Sequence, residues 1–418
     1  MRVDQTLAFA AIAIQFACSQ PSAPAATISF ASVSAGGSHT CGLSTEGRTY
    51  CWGSNTFAQL GGGPSTLLES HFYPAVVAGD VAFMAVSAGG LHTCALDASG
   101  TAYCWGANQY GQLGIGSDPA PERCRSTPCA STATAVSGAL QFRVITAGWG
   151  HTCALSRSGD VYCWGDNRQG ELGTDSIQLG TSTPTRVARP GNADFVALGA
   201  GQWHTCAVSA DGRAYCWGQN NWGQVGPAAK DTCFAQDATK LPCSRTPVLA
   251  AAGLALVTIG GGWGHTCALA SDGATYCWGY DGSGQLGVEP VSVSMECPLR
   301  PESKQCSPQP LRVAGNLAFV ALTVGGSHNC GLLENGEAYC WGGHLIGQLG
   351  DCSLRDYSAV PRPVCGGHRY ILLSAGSGHT CAVAVAHDAY CWGPNDSGEL
   401  GSGTLTAFGP VPVGPPEN

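Results

Sequence analysis

The stretch HTCALDASGTAYCWG, residues 92–106, sets two cysteines ten positions apart with a glycine between them. The same arrangement recurs along the chain. SAGGSHTCGLSTEGRTYCWG begins at Ser34, SAGGLHTCALDASGTAYCWG at Ser87, TAGWGHTCALSRSGDVYCWG at Thr146 and GAGQWHTCAVSADGRAYCWG at Gly199. GGGWGHTCALASDGATYCWG follows from Gly260, TVGGSHNCGLLENGEAYCWG from Thr323 and SAGSGHTCAVAVAHDAYCWG from Ser374, where His387 replaces the glycine. Successive histidines lie 51 to 63 residues apart. A repeat of this length is the mark of a solenoid or a propeller.

Each unit reads as four short strands. In the second, PAVV (74–77) and FMAVSAG (83–89) precede HTCAL (92–96) and TAYCWG (101–106). Apolar runs rich in β-branched and aromatic residues and punctuated by glycine are strand signals. Seven such units predict an all-β fold, a single seven-bladed β-propeller of four-stranded blades, with only short protected edges. Unit one has no P-x-x-V run before Phe30, whereas Pro410–Val413 follows unit seven. The expectation is that this C-terminal strand completes blade one.

Hairpin geometry accounts for the cysteines. Gly100 ends a three-residue turn between Cys94 and Cys104, a common hairpin connection with glycine in the left-handed region. Gly47, Gly159, Gly212, Gly273 and Gly336 hold the same offset. That register opposes Cys94 to Cys104 at roughly 4.5–5.5 Å between Cα atoms, within disulfide range. It also opposes Ala95 to Tyr103, and the Ala95 position is Ala or Gly in every unit, leaving room for an aromatic ring. The expected hairpin pairs are Cys41–Cys51, Cys94–Cys104, Cys153–Cys163, Cys206–Cys216, Cys267–Cys277, Cys330–Cys340 and Cys381–Cys391. Each closes a short loop, for about 2–3 kcal/mol on a chain-entropy estimate.

The 418-residue chain has 60 glycines, 44% apolar and 11% charged residues, and a formal net charge of −9. It is too apolar for disorder and too rich in glycine for helices. Lysine occurs only at Lys230, Lys240 and Lys304, so no basic stripe exists to neutralise phosphates and no nucleic-acid partner is expected. Twenty-three cysteines point to an oxidising compartment. LAFAAIAIQFA, residues 7–17, is too short to span a bilayer and has the length of a signal-peptide core. Residues 1–25 are assigned to that signal and a short linker, with 26–418 as the propeller. Two ends are open: cleavage after Ala25, releasing a soluble protein, or before Cys18, whose thiol would take a lipid anchor. The expected location is extracellular or the cell envelope.

The pattern G-x-x-H-T-C-A-L, G-x-x-Y-C-W-G-x-N-x-x-G-Q-L-G resembles the repeat of the regulator of chromosome condensation family, over about residues 30 to 414. The resemblance implies a seven-bladed propeller whose faces bind proteins. It admits guanine-nucleotide exchange on a small GTPase, and inhibition of a secreted enzyme, as further activities. Paired cysteines depart from intracellular members and speak against exchange.

A repeat defines the scaffold, so function is sought where units differ. Four insertions, at 118–131, 227–246, 288–309 and 351–365, fall at one equivalent place after G-Q-L-G. Each holds its own cysteine pair: Cys124–Cys129, Cys233–Cys243, Cys297–Cys306 and Cys352–Cys365. Eleven pairs use 22 of the 23 cysteines and leave Cys18. Arg123, Arg125, Lys230, Lys240, Arg300, Lys304 and Arg355 lie in these insertions and make a basic, stapled set of loops. Such loops are a candidate protein-binding face, since stiffened loops lose less entropy on binding; protection against proteolysis is the other reading. Trp149, Trp203 and Trp263 stand just before the histidine in three consecutive units and predict an arc on one rim. Phe57, Tyr110 and Trp222 occupy a second variable slot. These aromatics fit binding hot spots or caps on the blade ends.

Seven equivalent histidines, His39 to His379, are expected to bond between blades, because one copy per blade lies on a ring too wide to share an ion. No catalytic or cofactor-binding signature is present: G-x-S-x-G, the P-loop, H-E-x-x-H and the EF-hand loop are all missing from the sequence. The expected protein is a non-catalytic, monomeric module without a metal or cofactor, whose ligand is a protein or a cell-envelope polymer.

Overall fold

The computed structural model describes residues 28–66, 69–116, 122–176, 178–234, 239–289, 297 and 305–415. Seven antiparallel sheets follow one another along the chain. Blade one is β1 (Phe30–Ala35), β2 (His39–Ser44), β3 (Thr49–Gly53) and β4 (His71–Val76), hydrogen-bonded in that order. Inner strands of successive blades contact one another all round, and β1 meets the inner strand of blade seven. The fold is therefore a closed seven-bladed propeller.

The expected ring closure is corrected. The C-terminal strand, Ala407–Pro412, pairs with Ala389–Gly393 of its own blade, Val411 opposite Cys391. The P-x-x-V run is thus the outer strand of the unit before it, and β4 already completes blade one. Closure comes from packing between complete blades. The loop before each outer strand crosses to the next blade, so the last loop reaches blade one without lending it a strand.

Six of the seven interfaces are fastened by one backbone carbonyl that accepts two buried donors. Gln59 O of blade one takes Thr93 Oγ1 at 2.8 Å and Trp105 Nε1 at 2.9 Å, both from blade two. At the seam, Glu399 O takes Thr40 Oγ1 and Trp52 Nε1, both at 2.9 Å. In blade six Asn329 replaces the threonine and its Nδ2 donates to Gln285 O at 2.8 Å, while Trp341 Nε1 is buried without a partner. The final glycine of N-x-x-G-Q-L-G lies against that indole. At Gly114, with φ of +69°, a Cβ would stand 2.7 Å from Trp164 Nε1.

The histidines complete this relay. His39 Nε2 lies 2.9 Å from Thr93 Oγ1, and the equivalent contact recurs around the ring to His379 Nε2 and Thr40 Oγ1 at 2.7 Å. Each threonine hydroxyl spends its proton on the carbonyl, so the histidine is the donor. His265 settles the tautomer independently, because its partner 2.9 Å away is Asn329 Oδ1, which can only accept. Each Nδ1 is then an unprotonated acceptor, buried without a partner.

The eleven disulfides join the pairs named above. In the hairpins the opposed cysteines are 4.1 Å apart at Cα, closer than the 4.5–5.5 Å that register alone suggests. Ala95 faces Tyr103. At Gly42, however, the ring that forbids a larger residue is Phe30 of the inner strand, 2.7 Å from a Cβ placed there. His387 adopts the turn glycine's conformation at φ of 68°. Its Nδ1 bonds Phe30 O at 3.0 Å across the seam.

Burial keeps all seven relay histidines neutral. It lowers His39, His92, His204 and His328 to about 3 and His151, His265 and His379 to about 4. An unfolded histidine titrates near 6.5, so the unfolded chain takes up protons first as the pH falls. The histidine contribution to stability is expected to be flat above pH 7 and to fall between 6.5 and 4, by up to about 1.4 kcal/mol per pH unit for each histidine. Urea midpoints measured from pH 7.5 to 4.5 with the disulfides intact check this; a constant midpoint contradicts it.

Candidate functional site

Antiparallel order dictates where the variable segments go. In every blade the connection from first to second strand and that from third to fourth emerge at one end of the sheet. Trp149, Trp203 and Trp263 lie in the first kind of connection, and Phe57, Tyr110, Trp222, Arg123, Arg125, Lys230 and Arg355 in the second, with Lys240 at the start of the following strand; the 351–365 segment runs on through the outer strand Tyr357–Pro363 of blade six. One face of the ring, here termed upper, therefore gathers every candidate residue that the structure describes. Contacts agree: Tyr110 of blade two lies over Gly150 of blade three, and Trp222 of blade four over Gly264 of blade five.

Two insertions are ordered as strands. In blade two, after β5 (Phe83–Ala88), β6 (His92–Asp97) and β7 (Ala102–Ala107), the insertion forms β8 (Glu122–Cys124) and extends the outer strand β9 (Thr127–Ala135). Ala107, at the upper end of β7, faces Cys129, so the tip at Arg125 and Ser126 rises beyond the blade. Blade four repeats the device with Asp231–Phe234 against Lys240–Ala251. Arg123, Arg125, Lys230, Lys240 and Arg355 are exposed. Arg300, Lys304 and Cys18 lie outside the described residues. The expected basic character is corrected by counting the acids: the insertions hold nine Lys and Arg (123, 125, 230, 240, 245, 300, 304, 355, 362) and nine Asp and Glu (118, 122, 231, 237, 289, 296, 302, 351, 356). They are neutral, on a scaffold that carries the whole net charge of −9.

In blade six the insertion is braced from below. His344 takes the place of the loop asparagine. It is buried, with Nδ1 accepting Leu349 N at 3.1 Å and Nε2 3.0 Å from both Ser353 O and Asp351 Oδ1. This loop displays Leu345 at 72% exposure and Leu354 at 85%. Composition held no sign of those leucines, since their exposure depends on how the loop is anchored.

The tryptophans divide. Trp149 and Trp263 occupy equivalent positions, with Gln202 between them in blade four. All three line a central cavity of about 90 Å³ walled by Ala and Gly of the inner strands. Trp203 is one residue further on and does not line it, so the expected arc of three is an arc of two with an amide in the middle. Trp263 is 45% exposed. Phe57, Tyr110, Trp203 and Trp222 are half-buried, and Trp222 meets Tyr280 of the next blade at 4.6 Å. The second-slot aromatics thus bridge blades as well as face solvent.

On blade three, between its two neighbours, a polar cluster breaks the repeat. Asp166 receives Arg168 Nε at 2.9 Å, and the guanidinium stands 4.6 Å above the Tyr110 ring. Glu171 replaces the glutamine of G-Q-L-G. Its Oε2 accepts Gln169 N at 2.8 Å, as the glutamine oxygen does elsewhere, but its Oε1 is buried without a partner. Burial first, and the charge of Asp166 second, push the Glu171 carboxyl up to about 8. Among the described residues no group of three or more His, Cys, Asp or Glu side chains is arranged to hold a metal ion.

Comparison with known proteins follows the same pattern. Residues 15–365 match the family model of the RCC1-like domain. The chain belongs to this family. It is 31% identical to the ultraviolet-B receptor UVR8 of Arabidopsis thaliana over 327 residues, 76% of this chain and 66% of the receptor. It is 25% identical to the guanine nucleotide exchange factor SRM1 of Saccharomyces cerevisiae over 407 residues, 87% of this chain and 81% of SRM1. The chain thus spans just under two thirds of the receptor's length. In solved structures, the propeller resembles yeast RCC1 (Prp20) as crystallised with Kap60, with a TM-score of 0.74, 21% identity, and coverage of 97% of this chain and 91% of that one. That yeast propeller is bound to Kap60, and the present one carries eleven disulfides.

Glu171 yields a test of the cluster. The folded chain holds its proton up to about pH 8, whereas the unfolded chain releases it near 4.5, so the carboxyl costs stability increasingly between those values. Glu171→Gln restores the family's amide. It is expected to match the wild type at pH 4 and to exceed it at pH 8, by up to about 1.4 kcal/mol for each pH unit between those values, because only the glutamate must keep its proton against the solution. Denaturant unfolding at both pH values measures the difference.

Proposed function

We propose that this propeller is a non-catalytic binding module of the extracellular medium or the cell envelope, and that it holds a protein or an envelope polymer on its upper face. The observation that carries the reading is the segregation of variety. Insertion tips, exposed leucines and cavity-lining tryptophans share one end of the blades, while the other end repeats the same parts from blade to blade: hairpin turns, short connections between blades and exposed apolar side chains such as Met84, Val257 and Val320. Stapled hairpins and the braced loop of blade six present side chains at little entropic cost on binding. Eleven disulfides support an oxidising location, and a lipid on Cys18 would anchor the chain to a membrane. Inhibition of a secreted enzyme is a special case of the same binding. Guanine-nucleotide exchange is the second reading; likeness to SRM1 favours it, and it requires the cysteines to be reduced.

Intact mass of the protein from its own cells, alkylated with and without reduction, tests the location. The expected result is eleven disulfides on a chain beginning near Ala26 or on a lipidated Cys18. Free thiols throughout would return the exchange reading to first place.

Retention of partners from an envelope extract tests the face. The double variant Arg125→Glu with Leu354→Asp is expected to lose at least tenfold. Met84→Asp, at the opposite end of blade two and 70% exposed, should lose nothing. Equal loss in both, or in neither, contradicts the assignment.

A further inference from the structure

The centre of the upper face differs from its periphery. The seven loops joining first to second strands read GGS, GGL, GWG, GQW, GWG, GGS and GSG from Gly36 to Gly378. These twenty-one residues include three tryptophans, three serines, a leucine and a glutamine, and no charged residue. Charged side chains of this face stand further out, on the loops before the outer strands. The inner disc is also stiff. Gly37 N donates to Gly89 O at 2.9 Å, Gly90 N to Gly148 O at 3.0 Å, Gln202 N to Gly262 O at 3.0 Å and Ser377 N to Gly36 O at 2.9 Å, so backbone bonds run from blade to blade around the mouth.

On this disc Trp149 leans onto Gly90 of the preceding blade, its Cδ2 2.8 Å from where a Cβ would be. Trp263 leans onto Gly326 of the following one, with Cε2 at 2.7 Å. The two indoles therefore spread in opposite directions from the Gln202 amide, and all three border the cavity of about 90 Å³. Glycine at both contact points lets each ring lie close to the backbone.

We infer that this disc binds an uncharged glycan. The inference rests on the reading of the upper face as the binding face and names the chemical class of its central ligand. Tryptophan faces carry negative π density that attracts the electropositive C–H faces of pyranose rings. Gln202 offers a donor and an acceptor to hydroxyl or acetamido groups. The cavity has room for a small acyl or hydroxymethyl substituent, or for ordered water. A platform without charge gives no electrostatic steering to a charged protein surface, and it imposes no charge desolvation on a neutral polymer. The periphery, with its charged hairpins and exposed leucines, remains for a protein.

Titration with chitohexaose and cellohexaose, followed by calorimetry and by indole emission, tests the assignment. Binding of either sugar is expected, weakened at least tenfold by Trp263→Ala and by Trp149→Ala and several-fold by Gln202→Ala. Thermal midpoints will show that each variant folds, and the exposed position of Trp263 makes its variant the safest. Leu354→Asp should leave sugar binding unchanged while reducing partner retention. Absence of heat and emission change at millimolar sugar overturns the inference, as does binding that survives both tryptophan variants. If sugar binding fails while partner retention still depends on Arg125 and Leu354, only the glycan falls. If both fail, the assignment of the face falls with it.

Discussion

The carbonyl of the residue before leucine in G-Q-L-G is the point on which the ring depends. At six interfaces one oxygen accepts a threonine hydroxyl and an indole N–H from the next blade. A histidine donates to the same hydroxyl from behind. Three buried polar groups are thereby satisfied together, each of which would otherwise cost stability in a dry interior. The donors belong to one blade and the acceptor to its neighbour, so no blade satisfies its buried groups alone. The seam between blades seven and one obeys the same rule, which explains why no strand is exchanged there.

That anchoring also releases the loops for function. Within N-x-x-G-Q-L-G the asparagine side chain holds the leucine N–H, as Asn108 Oδ1 holds Leu113 N at 3.1 Å. The glutamine holds the backbone of the second-slot residue, as Gln112 Oε1 holds Tyr110 N at 2.9 Å. The loop's course is thus determined by side chains that point inward, and the residues after it are free to vary in length. The insertions exploit this freedom, and their disulfides limit the entropy they would otherwise retain. Acid exposes the cost of the design, because the relay works only while its histidines are neutral.

The hairpin disulfides were legible before the fold because turn length, glycine and cysteine spacing are local and register follows from them. Ring closure is not legible in the sequence for the opposite reason. Whether P-x-x-V belongs to the hairpin before or after it depends on where a loop of several residues crosses, and both options keep the alternation of strands. The three tryptophans read as one arc because a one-residue offset in glycine-rich sequence looks minor; in the structure it decides whether a ring borders the cavity. Leu345 and Leu354 carry no signal in the sequence, since single leucines are common and only the buried His344 beneath them makes their exposure meaningful.

The sequence by itself determined the number of blades, the opposition of the paired cysteines, and the equivalence of the seven histidines, because repetition and short-range geometry specify these without knowledge of the whole. That the equivalent insertions project from one side also followed from the repeat; tertiary structure alone decided that the tryptophans and the second-slot aromatics share that face, that the inner strands wall the central cavity, and that each blade keeps its own outer strand. These are relations between residues far apart in the chain. They arise only when antiparallel order assigns every connection to one end of a sheet and closure of the ring brings those ends together.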